Sequence, residues 1–435
     1  MVLINIVCKI NEEDTFQISE QSVLLHLYKH DQIHYTFFNY SKNENLLKIP
    51  HFFSNEGLDL FYLSLVIYYA DRIIKRDSFP DAWTRKFKLF FPVLELEKWI
   101  NNKKIIEDML SFLSGDNWEI VFRKRMLNHN EFEAKKRIEE STVEKLIPNM
   151  MCMISGGLDS YIGAIDLLQT DKKIFFVSLY GGGRGVLFSQ KTVKDALINK
   201  HQIVSDNFLS FYAAPIGGRE DTTRTRSFMF FAHAIAVASA YRKDINLIIP
   251  ENGLISLNIP LTNSRIGSSS TRTTHPHYIK LFQMLLNNLD LKISLKNPYQ
   301  FKTKGEMIKG CKDLTFLKES INSTISCSHP DLERYRGRSD HLHCGTCLPC
   351  IIRRAAIKKS GIHDNTEYKD RNFEEISAKI KLKAYKLGLL KYRMNIDNLI
   401  YYIQTSGPIT ECYDDYMNLY SRGMDEISGL LDSYE

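Results

Sequence analysis

Two groups of residues in this chain have the types and spacing that chemistry needs. The first is Ser-Gly-Gly-Leu-Asp-Ser at 155–160, set between the apolar run IPNMMCMI and the helical stretch YIGAIDLLQ. Paired glycines end a strand poorly and start a helix poorly, so the turn must serve something besides reversal. A strand running through glycine into a helix turns backbone N–H groups toward one concave side. The helix N-terminus adds about half a positive charge there. Such a nest binds phosphate. Gly156, Gly157 and Leu158 supply backbone donors, and Ser155 and Ser160 add hydroxyls. Asp159 puts a carboxylate where phosphate is expected, which calls for a cation such as Mg2+ between them. The plainer alternative is a tight strand–helix turn with an aspartate cap. The lysine of the G-x-x-x-x-G-K-[ST] loop is missing.

The second group is Cys327, Cys344, Cys347 and Cys350, in the form C-x16-C-x2-C-x2-C. Four thiolates so spaced enclose a tetrahedral Zn2+ as a closed site, with a structural rather than catalytic role. A redox pair at Cys347/Cys350 and a thiolation nucleophile are the other readings. His341 and His343 stand nearby as spare ligands. Cys8, Cys152, Cys311 and Cys412 are scattered, and Cys152 reads as a buried thiol.

These groups need a scaffold, and the middle of the chain reads as one. Strands at IPNMMCMI, KIFFVSLY, FLSFYAAP and INLIIP alternate with helical runs, which predicts an α/β fold with a doubly wound parallel sheet. Ligands bind at the carboxyl ends of such strands. The loops there are SGGLDS, YGGGRG, IGGREDTTRTR and ENGLIS. Glu251 and Asn252 follow a strand end directly and suit the amide and amino edges of a purine-like base. Arg265, Arg272, His275 and His277 add donors suited to a carboxylate. His233 sits on an apolar helix face and reads as a core histidine. Residues 1–138 read as an α+β accessory domain, 130–145 as a charged linker, 146–362 as the α/β domain with the cysteines, and 366–435 as a helical tail.

Composition narrows the class only a little. The 435 residues carry a net charge of +6 and are 44% hydrophobic. That charge suits an anionic small molecule or RNA equally, but no basic–aromatic stripe favours nucleic acid. The start lacks a basic run with a cleavage site, and no window of about 18 apolar residues occurs. A soluble cytoplasmic protein is the expectation, and clustered cysteines in that compartment point to metal.

The loop resembles the pyrophosphate-binding S-G-G-x-D-S loop of the N-type ATP pyrophosphatases, which split ATP to AMP and pyrophosphate while adenylating their substrate. The loop alone does not choose among them. The segment TISCSHP…CGTCLPCIIRRAAI resembles the W-S-C…C-x2-C-x2-C pattern of QueC, the 7-cyano-7-deazaguanine synthases. NPYQFKTKGEMI resembles their P-x-x-x-x-T-K-x-E-I segment and supplies Thr303, Lys304 and Glu306. TRTRSFMFFAHA resembles their R-N-x-x-F run, with Arg226 present and Ser227 where asparagine is usual. The resemblance spans about 148–360. It implies a PP-loop (HUP-type) fold, ATP, Mg2+ and Zn2+, and a 7-carboxy-7-deazaguanine substrate. Lys304, Arg226 and Asp159 would carry the catalysis, with Ser155–Ser160 on the nucleotide.

The chain departs from that family in its extra N-terminal and C-terminal residues, the long spacer before Cys344 and a rewritten stretch at 251–278. In this it resembles QueC-like proteins encoded in bacterial anti-phage (Qat-type, QatC-like) operons, which implies a ligase that passes the acyl group to an amine of a co-encoded protein partner. A QueC-type synthase using ammonia, a tRNA-modifying PP-loop enzyme and a zinc-ribbon scaffold are the alternatives.

Overall fold

A computed structural model describes residues 3–36, 47–170, 173–181, 183–222, 224–261, 272–331 and 342–434. Its strands are β1 Ile4–Lys9, β2 Ser22–His26, β3 Ile33–Tyr35, β4 Lys86–Val93, β5 Asn117–Lys124, β6 Met150–Met153, β7 Ile174–Tyr180, β8 Phe208–Pro215, β9 Ile245–Ile248 and β10 Ile293–Lys296. They form a six-stranded sheet, β10-β9-β6-β7-β8-β3, and a four-stranded sheet, β2-β1-β4-β5. In the larger sheet every pairing is parallel except that of β3 with β8. β7 lies near the middle, and its continuous apolar run fits a strand covered on both faces.

The α/β reading with a parallel sheet holds, but two expectations are corrected and one strand is added. The α+β accessory region is built on an all-parallel sheet, because β1 pairs in parallel with both β2 and β4, and β4 with β5. The presumed linker contains the helix His129–Glu140, started by a capping box between Asn128 and Glu131. Its charge conceals a narrow buried stripe of Glu131, Ala134 and Ile138. β10 was not anticipated; four short residues carry too little periodicity to stand out.

The N-terminal residues share their core with the larger sheet. The helix Asn55–Ile73 is apolar on nearly all sides, so it must be buried all round. It packs on β8 and on the helix Arg226–Ser239. A buried ionic network joins the two parts. Arg85 Nη2 donates to Asp71 (2.5 Å) and to Asp116 (2.6 Å), and all three side chains are fully buried. Asp71 also accepts from the N–H (3.3 Å) and hydroxyl (2.8 Å) of Thr225, the residue before Arg226.

At the C-terminal end, the helices Ile376–Met394, Leu399–Ile403 and Tyr413–Leu431 build their own apolar core against Leu348–Ser360. Among the described residues, no helix is long and apolar enough to cross a membrane.

Replacing Arg85 by methionine leaves two buried carboxylates with one cation fewer. Breaking such a pair costs roughly 3–5 kcal/mol. Denaturant unfolding of Arg85→Met should show a loss of that size, whereas Lys104→Met, at an exposed pair, should change stability by less than about 1 kcal/mol.

Candidate functional site

The loop is held by its own side chains and by two distant segments. Ser155 N–H donates to Ser160 Oγ (3.1 Å), Gly157 N–H to Ser155 Oγ (3.3 Å), and Ser160 Oγ–H to the Gly157 carbonyl (3.0 Å). Gly156 has φ +84°, and a Cβ there would stand 3.0 Å from the Gln190 backbone nitrogen. Both conformation and space therefore demand glycine. The Gly156 carbonyl accepts from Ser189 Oγ (2.6 Å) and from the Ile325 N–H (3.0 Å). Gly157 is the N-cap of the helix Leu158–Leu168, whose N-terminus therefore opens beside the loop.

Asp159, in the first turn of that helix, is buried and paired with Lys304 Nζ at 2.7 Å. Its other oxygen accepts from Asn252 Nδ2 (2.6 Å) and the Asn252 N–H (3.3 Å). Burial alone would raise the Asp159 pKa. The Lys304 charge and the bonds from Lys304 and Asn252 outweigh burial and hold it below the usual range. The Glu251 carboxyl beside it goes the other way, pushed up to about 8 by burial and by the Asp159 charge.

Lys304 owes its position to the C-terminal helix. It opens the short helix Lys304–Lys309, which Thr303 and Glu306 begin with a capping box. Thr303 Oγ accepts from the Glu306 N–H (3.1 Å) and donates its own proton to Glu426 (2.5 Å). The Glu426 carboxylate also accepts from the Gly305 N–H (3.3 Å). Two otherwise orphaned helix donors are thereby satisfied, with negative charge at the positive helix end. Arg422, one turn earlier on the same C-terminal helix, bonds Glu306 at 2.6 Å.

The cysteines meet as their spacing suggests. The four sulfurs lie within 4.8 Å of one another, and the Cys327–Cys347 and Cys344–Cys350 separations are both 3.9 Å. Zn–S bonds of about 2.3 Å set sulfurs roughly 3.8 Å apart in a tetrahedron, so the cluster could bind zinc. Backbone N–H groups of His329, Cys344 and Cys347 point at the sulfurs of Cys327 and Cys344. His343 stands behind the cluster, its Nδ1 3.8 Å from Cys350 Sγ and its Nε2 bonded to the Thr324 carbonyl. His341 lies outside the described residues.

Ser155, Gly157, Ser160, Arg226, Glu251 and Cys327 line one cavity of ≈ 310 Å³. Leu158, Asp159 and Lys304 line an adjoining one of ≈ 230 Å³ that shares Ser155, Gly157, Ser160 and Glu251. The cysteine cluster thus borders the site.

Other expected residues stand elsewhere. Asn252 is fully buried and occupied with Asp159 and with capping the helix Gly253–Leu257, so it backs the site rather than facing a substrate. Arg272 donates to the Phe112 carbonyl at 2.9 Å and stacks on the Phe112 ring. His275 is buried as the N-cap of the helix Pro276–Asn288, and burial lowers its pKa to about 3. Neither lines these two cavities. Arg265 lies outside the described residues. His233 is a core histidine bonded to the Met229 carbonyl. Ser189, Gln190 and Glu426 were missed, because single polar residues on helices give no signal of what they will face.

The fold and site define an α/β protein with a glycine loop at a helix N-terminus tied to a four-cysteine cluster. Comparison with known proteins agrees with that class. Residues 269–361 match the family model described as "Queuosine biosynthesis protein QueC". The chain is similar to the 7-cyano-7-deazaguanine synthase of Methanococcus aeolicus, with 23% identity over 50% of this chain and 98% of that protein. It is similar to that of Rickettsia rickettsii at 26% identity, over 50% of this chain and 96% of that protein. The Methanococcus maripaludis protein of the same name is also 26% identical, over 50% and 97%. Nearly whole relatives therefore correspond to half of this chain.

Two outcomes follow from this geometry. Purified protein should contain about one zinc per chain by metal analysis, and Cys347→Ser should lose both the metal and much of its stability. Glu426→Leu should speed amide exchange at Gly305 by about tenfold, the effect of losing one charged hydrogen bond. Glu426→Gln, which keeps an acceptor, should change it much less.

Proposed function

We propose that this protein adenylates a carboxylate, 7-carboxy-7-deazaguanine, at the expense of ATP, and transfers the acyl group to an amine of a partner protein. The observation that carries the reading is the loop Ser155–Ser160 at a helix N-terminus with the buried Asp159–Lys304 pair against it.

A carboxylate oxygen of the substrate attacks the α-phosphorus of ATP, and the bond from that phosphorus to the α,β-bridging oxygen breaks. Gly156, Gly157, Leu158 and the hydroxyls of Ser155 and Ser160 hold the departing pyrophosphate. Lys304 and Arg226 offset its growing charge. Glu251, three residues beyond β9, meets the N–H edge of the base. Asp159, whose carboxylate stays ionised at the start of the helix after the loop, is the oxygen donor that would hold Mg2+. When bound, Mg2+ neutralises phosphate charge. Lys304 turns from Asp159 to the phosphates as the nucleotide enters.

The amine nitrogen then attacks the acyl carbon, AMP leaves with the former carboxylate oxygen, and the nitrogen gives up a proton. Ammonia would give a primary amide that can be activated again and dehydrated to the nitrile. A protein amine gives a secondary amide with no second N–H to lose, so the reaction stops there. An N-terminal amine suits this step better than lysine, because its reference pKa is near 8 rather than about 10.4. The acceptor assignment draws on the half of the chain that lies beyond its relatives and on the resemblance to QueC-like proteins of anti-phage operons.

The products of ATP should be AMP and pyrophosphate. Asp159→Asn should lower turnover at least about 10²-fold; it is preferred to alanine because it keeps a bond to Asn252 near the buried lysine. Accumulation of ADP contradicts the reading. Intact-mass analysis of co-encoded proteins incubated with enzyme, ATP and substrate should show one gaining a stable adduct. Free nitrile formed from ammonia, with every protein unmodified, assigns the chain to the synthase reaction instead.

A further inference from the structure

The helix Ile376–Met394 is apolar on two opposite sides. Ala378, Leu382, Tyr385, Leu389 and Tyr392 are buried and pack into the C-terminal core. Their spacing of 4, 3, 4 and 3 is that of a helix–helix seam. A second seam runs along the far side. Ile376, Ile380, Lys383, Leu387, Leu390 and Met394 follow the spacing 4, 3, 4, 3 and 4. At 100° per residue this second set is centred about 160° from the first. Ile376 and Met394 are 80% and 83% exposed, and Ile380, Leu387 and Leu390 lie between 51% and 63%. Six basic residues, Lys379, Lys381, Lys383, Lys386, Lys391 and Arg393, belong to the helix, and no acidic one does.

We infer that this outer seam is a docking site for an acidic, heptad-patterned helix of a partner protein. The stripe is a narrow a/d row, which one helix covers, rather than the broad apolar face with aromatic residues that a membrane-binding helix presents. A lysine at the central seam position sets register and asks for an acidic group opposite. A second copy of this helix would bring like charges together along the whole seam, which disfavours self-pairing. The stripe is roughly 28 Å long, enough to seat about two and a half heptads.

Its position gives the contact a consequence. Gly388, midway along the helix, lies so close to Leu261 that a Cβ would stand 2.2 Å from the Leu261 carbonyl oxygen. Gly388 lies about 120° round the helix from the centre of the outer seam, so a partner docked there leaves this inner contact with Leu261 in place. The helix lies outside the residues matched by the QueC model, 269–361. The inference stands apart from the proposed reaction, because binding is read without nucleotide or substrate.

The probe is a synthetic three-heptad peptide with leucine at the seam positions and glutamate flanking them, compared with a scrambled peptide of the same composition. Full-length protein should bind the patterned peptide at least about tenfold more tightly than the scrambled one. Leu387→Glu with Leu390→Glu should abolish that preference while leaving the melting temperature unchanged. Ile380→Lys, at another exposed position, should weaken binding in the same direction. Equal binding of both peptides, or of neither, overturns the proposal. So does binding to phosphatidylserine vesicles without binding to the peptide. A dimer in sedimentation that Leu387→Glu dissolves would show the seam to be a self-interface, and would also overturn it.

Discussion

The ion pair between Asp159 and Lys304 organises this molecule. Both side chains are almost fully buried, and burying two charges costs several kcal/mol each unless geometry and further hydrogen bonds offset it. The offset comes from three distant parts of the chain. The helix after the glycine turn presents Asp159, Asn252 at the start of the helix Gly253–Leu257 satisfies its second oxygen, and a capped short helix presents Lys304. Glu426 holds that cap from more than a hundred residues further on. A buried pair so supported is poised rather than merely stable. In the proposed reaction an incoming polyphosphate would offer the lysine a second partner in the same place.

The remaining elements serve that pair from outside. The segment leading to Cys327 donates its Ile325 N–H to the Gly156 carbonyl, so the cysteine cluster and the loop share a hydrogen bond. Metal in the cluster would fix the backbone that shapes the loop, a structural role at close range to the chemistry. On the other flank, Asp71 holds Thr225 and so sets the start of the helix that bears Arg226. Asp71 from the N-terminal part and Glu426 from the last helix are thus tied to the elements that carry Arg226 and Lys304.

What the sequence made legible follows from how local each signal is. The strand-to-helix turn at the glycines and the meeting of the four cysteines could be read because each is encoded in consecutive or closely spaced residues. Lys304 was reached through resemblance, since a lysine two residues after another has no distinguishing pattern. Glu426 was beyond reach, because its role depends on how two helices pack. Arg272 and His275 were assigned to substrate because arginine and histidine in a polar stretch suit an anion. The same side chains also stack on a ring and cap a helix, and those are the uses the fold makes of them. The parallel N-terminal sheet was missed for a similar reason, since direction of pairing is set by the crossovers and not by the strands. The charged helix His129–Glu140 looks like a linker in the sequence because three buried positions in twelve residues leave little periodicity.

In the proposed reaction a carboxylate oxygen becomes bonded to the α-phosphorus of ATP at the loop. Labelling the substrate carboxylate with oxygen-18 tests it directly. AMP recovered after turnover should carry one heavy oxygen from the substrate, detected by mass spectrometry or by the phosphorus NMR shift. AMP that takes its oxygen from labelled water instead, with the carboxylate label left in place, would mean that ATP is merely hydrolysed and would contradict the account.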